Sequence, residues 1–315
     1  MTTHESQHQP SLDRLSVVIV SLIGGETLRM CLEQLPVAEL EIIVSLRGKE
    51  GLTAWQNAFP AIKFLSDTDL TVPQRRAKAA KEATRDLVAM LEDTSRPDPT
   101  WGRATLEAME DLDVGAAGGP VSISSRLPAR FEALGWTEYG RFHINRAVAL
   151  ADSSGRIGSA NLMKVNLVPG NNMVYRRVFL ETHLSAHRDG LFEFNTGSDL
   201  LEQGKSIIFS RGMSVVYDAI DERNAKLSMR AQHGRLFASS RIAKQNVLHR
   251  ATWIAKSLVL PAALSLRTLR NANAASKARL KLSTMVWIVL MESAWGFGEF
   301  LGYTFGRGRS YESWR

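Results

Sequence analysis

The chain predicts an α/β fold, a doubly wound sheet followed by a helical C-terminal region. Three observations predict it. Residues 15–123 alternate short β-branched runs with stretches of helical spacing. The 315 residues, 44% of them hydrophobic, supply a sizeable core. From residue 253 onward the composition changes to two apolar stretches set among basic residues.

The elements follow in order. "LSVVIV" (15–20) is a β-branched strand; past Gly24 and Gly25, "ETLRMCLEQL" (26–35) has helical spacing, and "LEIIVSL" (40–46) is a second strand. "AIKFL" (61–65) is a third strand. A helix is expected from Pro73 to Arg85, with proline in its first turn, then the strand "DLVAML" (86–91) and a helix from Pro99 to Asp111. "DVGAAGGPVSI" (113–123) reads as one further strand. Parallel strands joined by helices bind ligands at their carboxyl ends. Two adjacent carboxylates, Glu92 and Asp93, stand at such an end. They are either solvated surface charges or a site for Mg²⁺ or Mn²⁺ and a diphosphate, since both metals take carboxylate oxygens and leave positions for phosphate.

Composition narrows the classes. The single cysteine, Cys31, permits no intramolecular disulfide and no Cys-based zinc site, which fits a reducing compartment. Residues 1–14 are polar and carry no apolar signal region, so a flexible tail is expected there. The net charge of +7 implies an anionic partner: nucleic acid, lipid headgroups or a phosphorylated substrate. Nucleic acid is disfavoured because the basic residues collect beside apolar segments in the C-terminal part.

Further along, Gly170, Asn171 and Asn172 in "LVPGNNMVYRR" (167–177) read as a loop open to close backbone approach, with Tyr175 and Arg176 starting the next helix. Arg75 and Arg76 are basic candidates on the helix after Pro73, where solvation is the ordinary fate. His183 and His187 lie four apart and could ligate a metal; no carboxylate pattern supports that, and they are expected at the surface.

In order and approximate spacing, "SVVIVSLIGGETLRMCLEQL", "EIIVSLRG", "VPQRRAKAAKEATRDLVAMLEDTSRPDPTW", "AAGGPV", "LVPGNNMVYRR" and "GLFEFNTGSDLLEQGKSIIFSRGMSVVYD" resemble the family 2 glycosyltransferases. The resemblance covers residues 15–240 and implies a GT-A fold, Rossmann-like with a mixed sheet. It implies that Glu92 and Asp93 hold a metal, Mg²⁺ or Mn²⁺, and the diphosphate of a nucleotide-sugar donor. The triplet here is Glu92-Asp93-Thr94 where the family carries DxD or DDD. "TEYGRFHINR" (137–146) looks like an insertion shared by a divergent bacterial branch with an EDH-like triplet. Gly170, Asn171 and Asn172 would line the acceptor side. Glu193 falls on the general-base position and Asn195 on a second, commonly acidic one. Asp199 is the competing candidate, placed inside the following helix where a solvated face is expected. Arg76 and Arg235 are the candidates for the donor diphosphate. Gln232, His233, Gly234 and Arg235 stand where a QxxRW-like or YGR-like segment closes over the donor. The second strand ends in Ser45, Leu46 and Arg47 without the family's nucleoside acid, so base and sugar stay open. Transfer is inverting by resemblance.

The apolar stretch 253–266 is interrupted by Lys256 and Pro261, and 282–305 contains Glu292 and Glu299. Around them stand Arg241, Lys244, Arg250, Arg267, Arg270, Lys277, Arg279, Lys281, Arg307, Arg309 and Arg315, a distribution that disfavours a two-span hairpin. In-plane helices on a membrane surface are expected. A buried hairpin or dimer interface is the alternative, and one span at 282–305 stays open. The domains are then a tail (1–14), a glycosyltransferase domain (15–240) and a membrane-associated helical region (241–315). The expected function is sugar transfer from a nucleotide diphosphate sugar to a lipid-linked or envelope polysaccharide acceptor, on the cytoplasmic side of the inner membrane. The alternative is a non-catalytic protein of the same fold that binds a glycan, a nucleotide or a partner enzyme.

Overall fold

The computed structural model describes residues 11–143, 162–187, 190–242, 247–275 and 279–312. Expectations placed on residues 1–10 and 144–146, and on Lys244, Lys277 and Arg315, lie outside them.

The first strand, β1 (Leu15–Ser21), pairs in parallel with β2 (Glu41–Arg47) on one side and β4 (Leu87–Glu92) on the other, and β2 pairs in parallel with β3 (Lys63–Asp67). The crossovers carry α1 (Gly25–Glu33), α2 (Leu52–Ala58) and α3 (Val72–Lys81). After β5 (Ser95–Pro97) come α4 (Trp101–Ala108), β6 (Val114–Gly118), β7 (Val121–Ile123) and α5 (Ala129–Tyr139). The second half holds β8 (Leu162–Val165), β9 (Asn172–Arg176), α6 (Arg177–Ala186), α7 (Glu193–Glu202), β10 (Ser206–Ser210) and β11 (Val215–Tyr217). Three helices close the described chain: α8 (Leu227–Ile242), α9 (Val247–Ala275) and α10 (Leu282–Phe305).

The main sheet has the order β3-β2-β1-β4-β9-β6-β10-β8, and β5-β11-β7 form a second, small sheet. The main sheet is mixed, because β9 runs antiparallel to both β4 and β6, and β8 antiparallel to β10. Every residue of β1 is buried. Its odd-numbered apolar positions, Val17 and Ile19, pack on one face with Leu28, Leu32 and Trp101, whereas Val18 packs on the other with Ile43, Met90 and Leu180. A sheet covered on both faces needs continuous apolar strands rather than alternating ones, which is why these runs are legible.

Several expectations are corrected. The run 113–123 is two strands in two sheets, broken at Gly119 and Pro120. Gly119 packs so closely that a Cβ would lie 2.1 Å from the Met213 carbonyl oxygen. Tyr175 and Arg176 end β9 instead of starting a helix, because Tyr175 is paired to Val88 and Ala116 on its two sides. The helix after Pro73 begins with a capping box at Thr71 and Gln74 and ends at Lys81. The short α2 was not anticipated. Residues Leu12–Arg14 form a 3₁₀ turn, with Leu12 packed over Gly102.

The C-terminal helices fold back on the sheet domain. α10 lies along α8, α9 and α5, and α8 itself runs across the 240/241 boundary. Contact with α8 depends on three glycines. A Cβ on Gly234 would lie 2.3 Å from the Trp295 carbonyl oxygen, on Gly298 1.9 Å from that of Ala231, and on Gly302 2.4 Å from that of Arg235. Backbones at that separation exclude any side chain. Pro261 sits inside α9 with its ring against Gly296. Ile288 and Met291 of α10 belong to the same core as Val17 and Trp101. The two acids that interrupt the apolar run are buried and partnered: Glu292 accepts from the Thr268 hydroxyl at 2.5 Å, and Glu299 from Trp295 Nε1 at 2.6 Å and Tyr303 at 2.7 Å. Among the described residues, no helix is long and apolar enough to cross a membrane.

Candidate functional site

The topology gathers the site. β4 delivers Glu92 and Asp93 at its carboxyl end. β9 runs the other way with Leu91 opposite Asn172, so its amino end, and the Gly170–Asn171 turn before it, lands beside them. Here a cavity of about 460 Å³ opens, within the range of small-molecule sites, lined on one side by the strand ends and on the other by α5, α8, α9 and α10.

Arg76 crosses this cavity floor. Its side chain is 4% exposed, and its guanidinium donates through Nη2 to Glu92 Oε1 at 2.7 Å and to the Gly170 carbonyl at 3.1 Å, and through Nη1 to Glu193 Oε2 at 3.0 Å. Burial, which would lower its pKa, is outweighed by the charges of Glu193 and then Glu92, and the net shift is upward. Neither arginine is the solvated surface residue expected: the two terminal nitrogens of each guanidinium are hydrogen-bonded inside the protein, and each Nε is buried. Arg75 is fully buried and donates to the Leu46 and Asp67 carbonyls, tying down the ends of β2 and β3. Glu92 is further held by the Tyr139 hydroxyl at 3.1 Å on Oε2, so both its oxygens are committed. Burial pushes its carboxyl up, with Arg76 the main opposing influence.

Asp93 differs from its neighbour. Its Oδ2 accepts from the Ser21 hydroxyl at 2.7 Å and from the amides of Ile23 and Gly24 at 3.2 and 3.3 Å. No Lys or Arg pairs with it among the described residues, and burial pushes its carboxyl up from 3.8 to about 6 against those hydrogen bonds. A divalent cation therefore fits at Asp93, whose charge no side chain neutralises, and does not fit at Glu92, whose oxygens belong to Arg76 and Tyr139. The raised value also sets a pH dependence. The folded form takes the Asp93 proton first, so the stability this group contributes is complete below pH 3.8 and is lost as pH rises through about 6. Asp93→Asn keeps an acceptor for the three donors and is expected to erase that loss. The gap between variant and wild type should then change by on the order of 2–3 kcal/mol across the window, measured by urea unfolding at several pH values. Parallel stability curves would count against it.

Glu193 opens α7 and lies so close to Gly170 that a Cβ there would be 2.8 Å from Oε1. A side chain at 170 would push the Glu193 carboxylate aside. Asn171 lines the cavity, whereas Asn172 is committed to structure, accepting from Trp101 Nε1 at 2.8 Å and donating to the Met213 carbonyl at 2.6 Å. Arg235 is outside the cavity lining; its Nε donates to the Gly306 carbonyl at 2.8 Å. In its place Arg230 enters, ion-paired to Glu138. His233 beside it is held neutral, burial pushing its pKa down to about 3 with help from Arg230 and Arg223. Asp199 is not a solvated face residue, and His183 is not at the surface. Asp199 Oδ2 lies within hydrogen-bond distance of both His183 Nδ1 and His187 Nε2, away from this cavity.

Sequence reasoning assigned no role to Glu138, Tyr139 or Arg141, although all three lie in the "TEYGRF" stretch it singled out. Arg141 and Arg267 line the cavity together, and the Arg141 pKa is lowered by burial and by the Arg267 charge. Two cations that feel each other's charge across a cavity favour an anion there, although the Arg267 charge also acts on the Glu292 carboxyl in the same lining.

Neither a protein-family model nor a curated protein sequence matches the chain. Among solved structures the chain is similar to the crystal structure of GalNAc-T7 with UDP, GalNAc and Mn²⁺, at a TM-score of 0.48 and 12% identity, over 66% of this chain and 43% of that chain.

Proposed function

We propose that the chain is an inverting glycosyltransferase of GT-A type that moves a sugar from a nucleotide diphosphate donor to a lipid-linked or envelope polysaccharide acceptor. The observation that carries this reading is the bridge through Arg76, which puts the strand-end carboxylates and Glu193 around one cavity at the carboxyl ends of parallel strands. Glu193 would act through Oε1, since Oε2 is held by Arg76. As the acceptor oxygen attacks the anomeric carbon and the bond to the diphosphate breaks, Oε1 takes the hydroxyl proton. Arg141 and Arg267 supply charge for the departing diphosphate. Asp93 would hold the divalent cation, Mg²⁺ or Mn²⁺, that adds positive charge on the same leaving group. The full commitment of Glu92 favours a second reading, a non-catalytic protein that binds a glycan, a nucleotide or a partner enzyme in this cavity.

A thermal-shift titration with UDP, GDP and their sugars, with and without Mn²⁺ or Mg²⁺, separates the two. On the first reading one nucleotide raises the melting temperature, by the equivalent of about 2.7 kcal/mol at a hundred times its Kd. The effect is lost in Asp93→Ala and kept in Glu193→Gln. A folded protein that no nucleotide stabilises would sink the enzyme reading.

We further place the chain on the cytoplasmic face of the inner membrane. Leu258, Val259, Phe297 and Phe305 are all more than half exposed on α9 and α10, with Arg250, Lys256, Lys281 and Arg307 near them in the chain, a pairing suited to anionic lipid. The protein is expected to float with anionic vesicles and to release as salt rises, and not to float with zwitterionic ones. No binding to either would remove this proposal.

A further inference from the structure

We propose that His183, His187 and Asp199 form a Zn²⁺ site, separate from the cavity, that fastens α6 to α7. His183 stands in the last turn of α6, His187 one turn later at its end, and Asp199 on α7. His183 Nδ1 and His187 Nε2 lie 2.7 and 2.9 Å from the same oxygen, Asp199 Oδ2, and the two rings are 4.3 Å apart. All three ligand atoms fall within 4.8 Å of one another.

Geometry points to a cation. Three ligand atoms from two helices converge on one place, His183 Nδ1 and His187 Nε2 both on Asp199 Oδ2. The Thr196 hydroxyl donates to the Phe192 carbonyl at 2.8 Å, and its oxygen stands 3.2 Å from His183 Nε2. A neutral imidazole has one N–H. In the tautomer that places it on Nε2, toward Thr196, the Nδ1 lone pair faces Asp199, which is the form a metal ion takes; without a metal a proton fills the same place.

Two imidazoles and one carboxylate, with a fourth position left for water, suit Zn²⁺, whereas Mg²⁺ and Ca²⁺ prefer oxygen throughout. Zn–N bonds of about 2.0–2.1 Å place tetrahedral ligand atoms about 3.3 Å apart, so the trio must open by a few tenths of an ångström. His187 and Asp199, with side chains 37% and 28% exposed, have room to do so. Thr196 fixes the His183 ring from behind, as outer hydrogen bonds do at zinc sites. The staple would set the position of α7, the helix whose first residue is Glu193.

The test uses the full chain, stripped with a chelator and titrated with ZnCl₂ by calorimetry, with MgCl₂ as control. One equivalent of Zn²⁺ should bind and raise the melting temperature, with no response to Mg²⁺ at this site. His187→Ala and Asp199→Asn should each weaken Zn²⁺ at least tenfold while keeping the wild-type circular dichroism, and Asp93→Ala should leave it unchanged. If His187→Ala does not fold, His187→Gln serves in its place. The proposal is overturned if the folded wild type takes up no stoichiometric Zn²⁺. It is equally overturned if both variants bind as the wild type does, or if Asp93→Ala alone abolishes binding.

Discussion

Arg76→Ala is expected to lower the unfolding free energy by about 3 kcal/mol, the lower end of what breaking a buried ion pair costs, because water reaches part of both partners. The guanidinium side chain is 4% exposed, while Glu92 and Glu193 are 27% and 35% exposed. Removing it leaves two carboxylates facing each other across a cavity with no charge between them, and frees the Gly170 carbonyl it also holds. Arg76→Lys is expected to recover less than half of the loss, since an ammonium is a point charge and cannot fork to two carboxylates at once. Urea unfolding of the three proteins reads both effects. An alanine variant within 0.5 kcal/mol of wild type, the ordinary scatter of surface substitutions, would show that the bridge contributes little.

The second large effect is on rate. On the proposed glycosyltransferase reading, Glu193→Gln is expected to slow sugar transfer by about 10²–10⁴-fold, the usual worth of a general base, with the nucleotide-induced melting shift intact. The amide keeps an oxygen for Arg76 Nη1, so the variant should fold as the wild type does. Single-turnover transfer to an acceptor, alongside donor binding, separates the two quantities. A glutamine variant that transfers at the wild-type rate would take Glu193 out of the chemistry.

These effects trace to what could and could not be seen in the residues. Strands β1, β2 and β4 are legible because burial on both faces forces unbroken apolar runs, and the pair after "DLVAML" is legible because strand ends are where such sheets bind ligands. Arg76 is a sequence candidate for the donor diphosphate, but its bridge between Glu92 and Glu193 is not legible, since those carboxylates lie 16 and 117 residues away and local spacing shows only a basic helix. Asp199 escaped for the same reason. It meets His183 and His187 from a different helix, and a helical carboxylate ordinarily faces water. Glu292 and Glu299 looked like interruptions in an apolar run; their partners Thr268, Trp295 and Tyr303 make them part of the packed interior. Tyr175 was misplaced because its strand state is imposed by two neighbouring strands that no local pattern records.

The antiparallel seating of β9 between β4 and β6 has a mechanical meaning. A ladder pins Leu91 to Asn172, so the cavity floor can shift only in whole steps of register. A slip of one residue would turn every β9 side chain to the opposite face and pull Asn172 off Trp101. A slip of two would keep the faces but carry Gly170 about 7 Å along the strand, out of reach of both Arg76 and Glu193. The distance between these groups is thus quantised: the floor of the cavity is either in register or absent, and small thermal sliding cannot detune it.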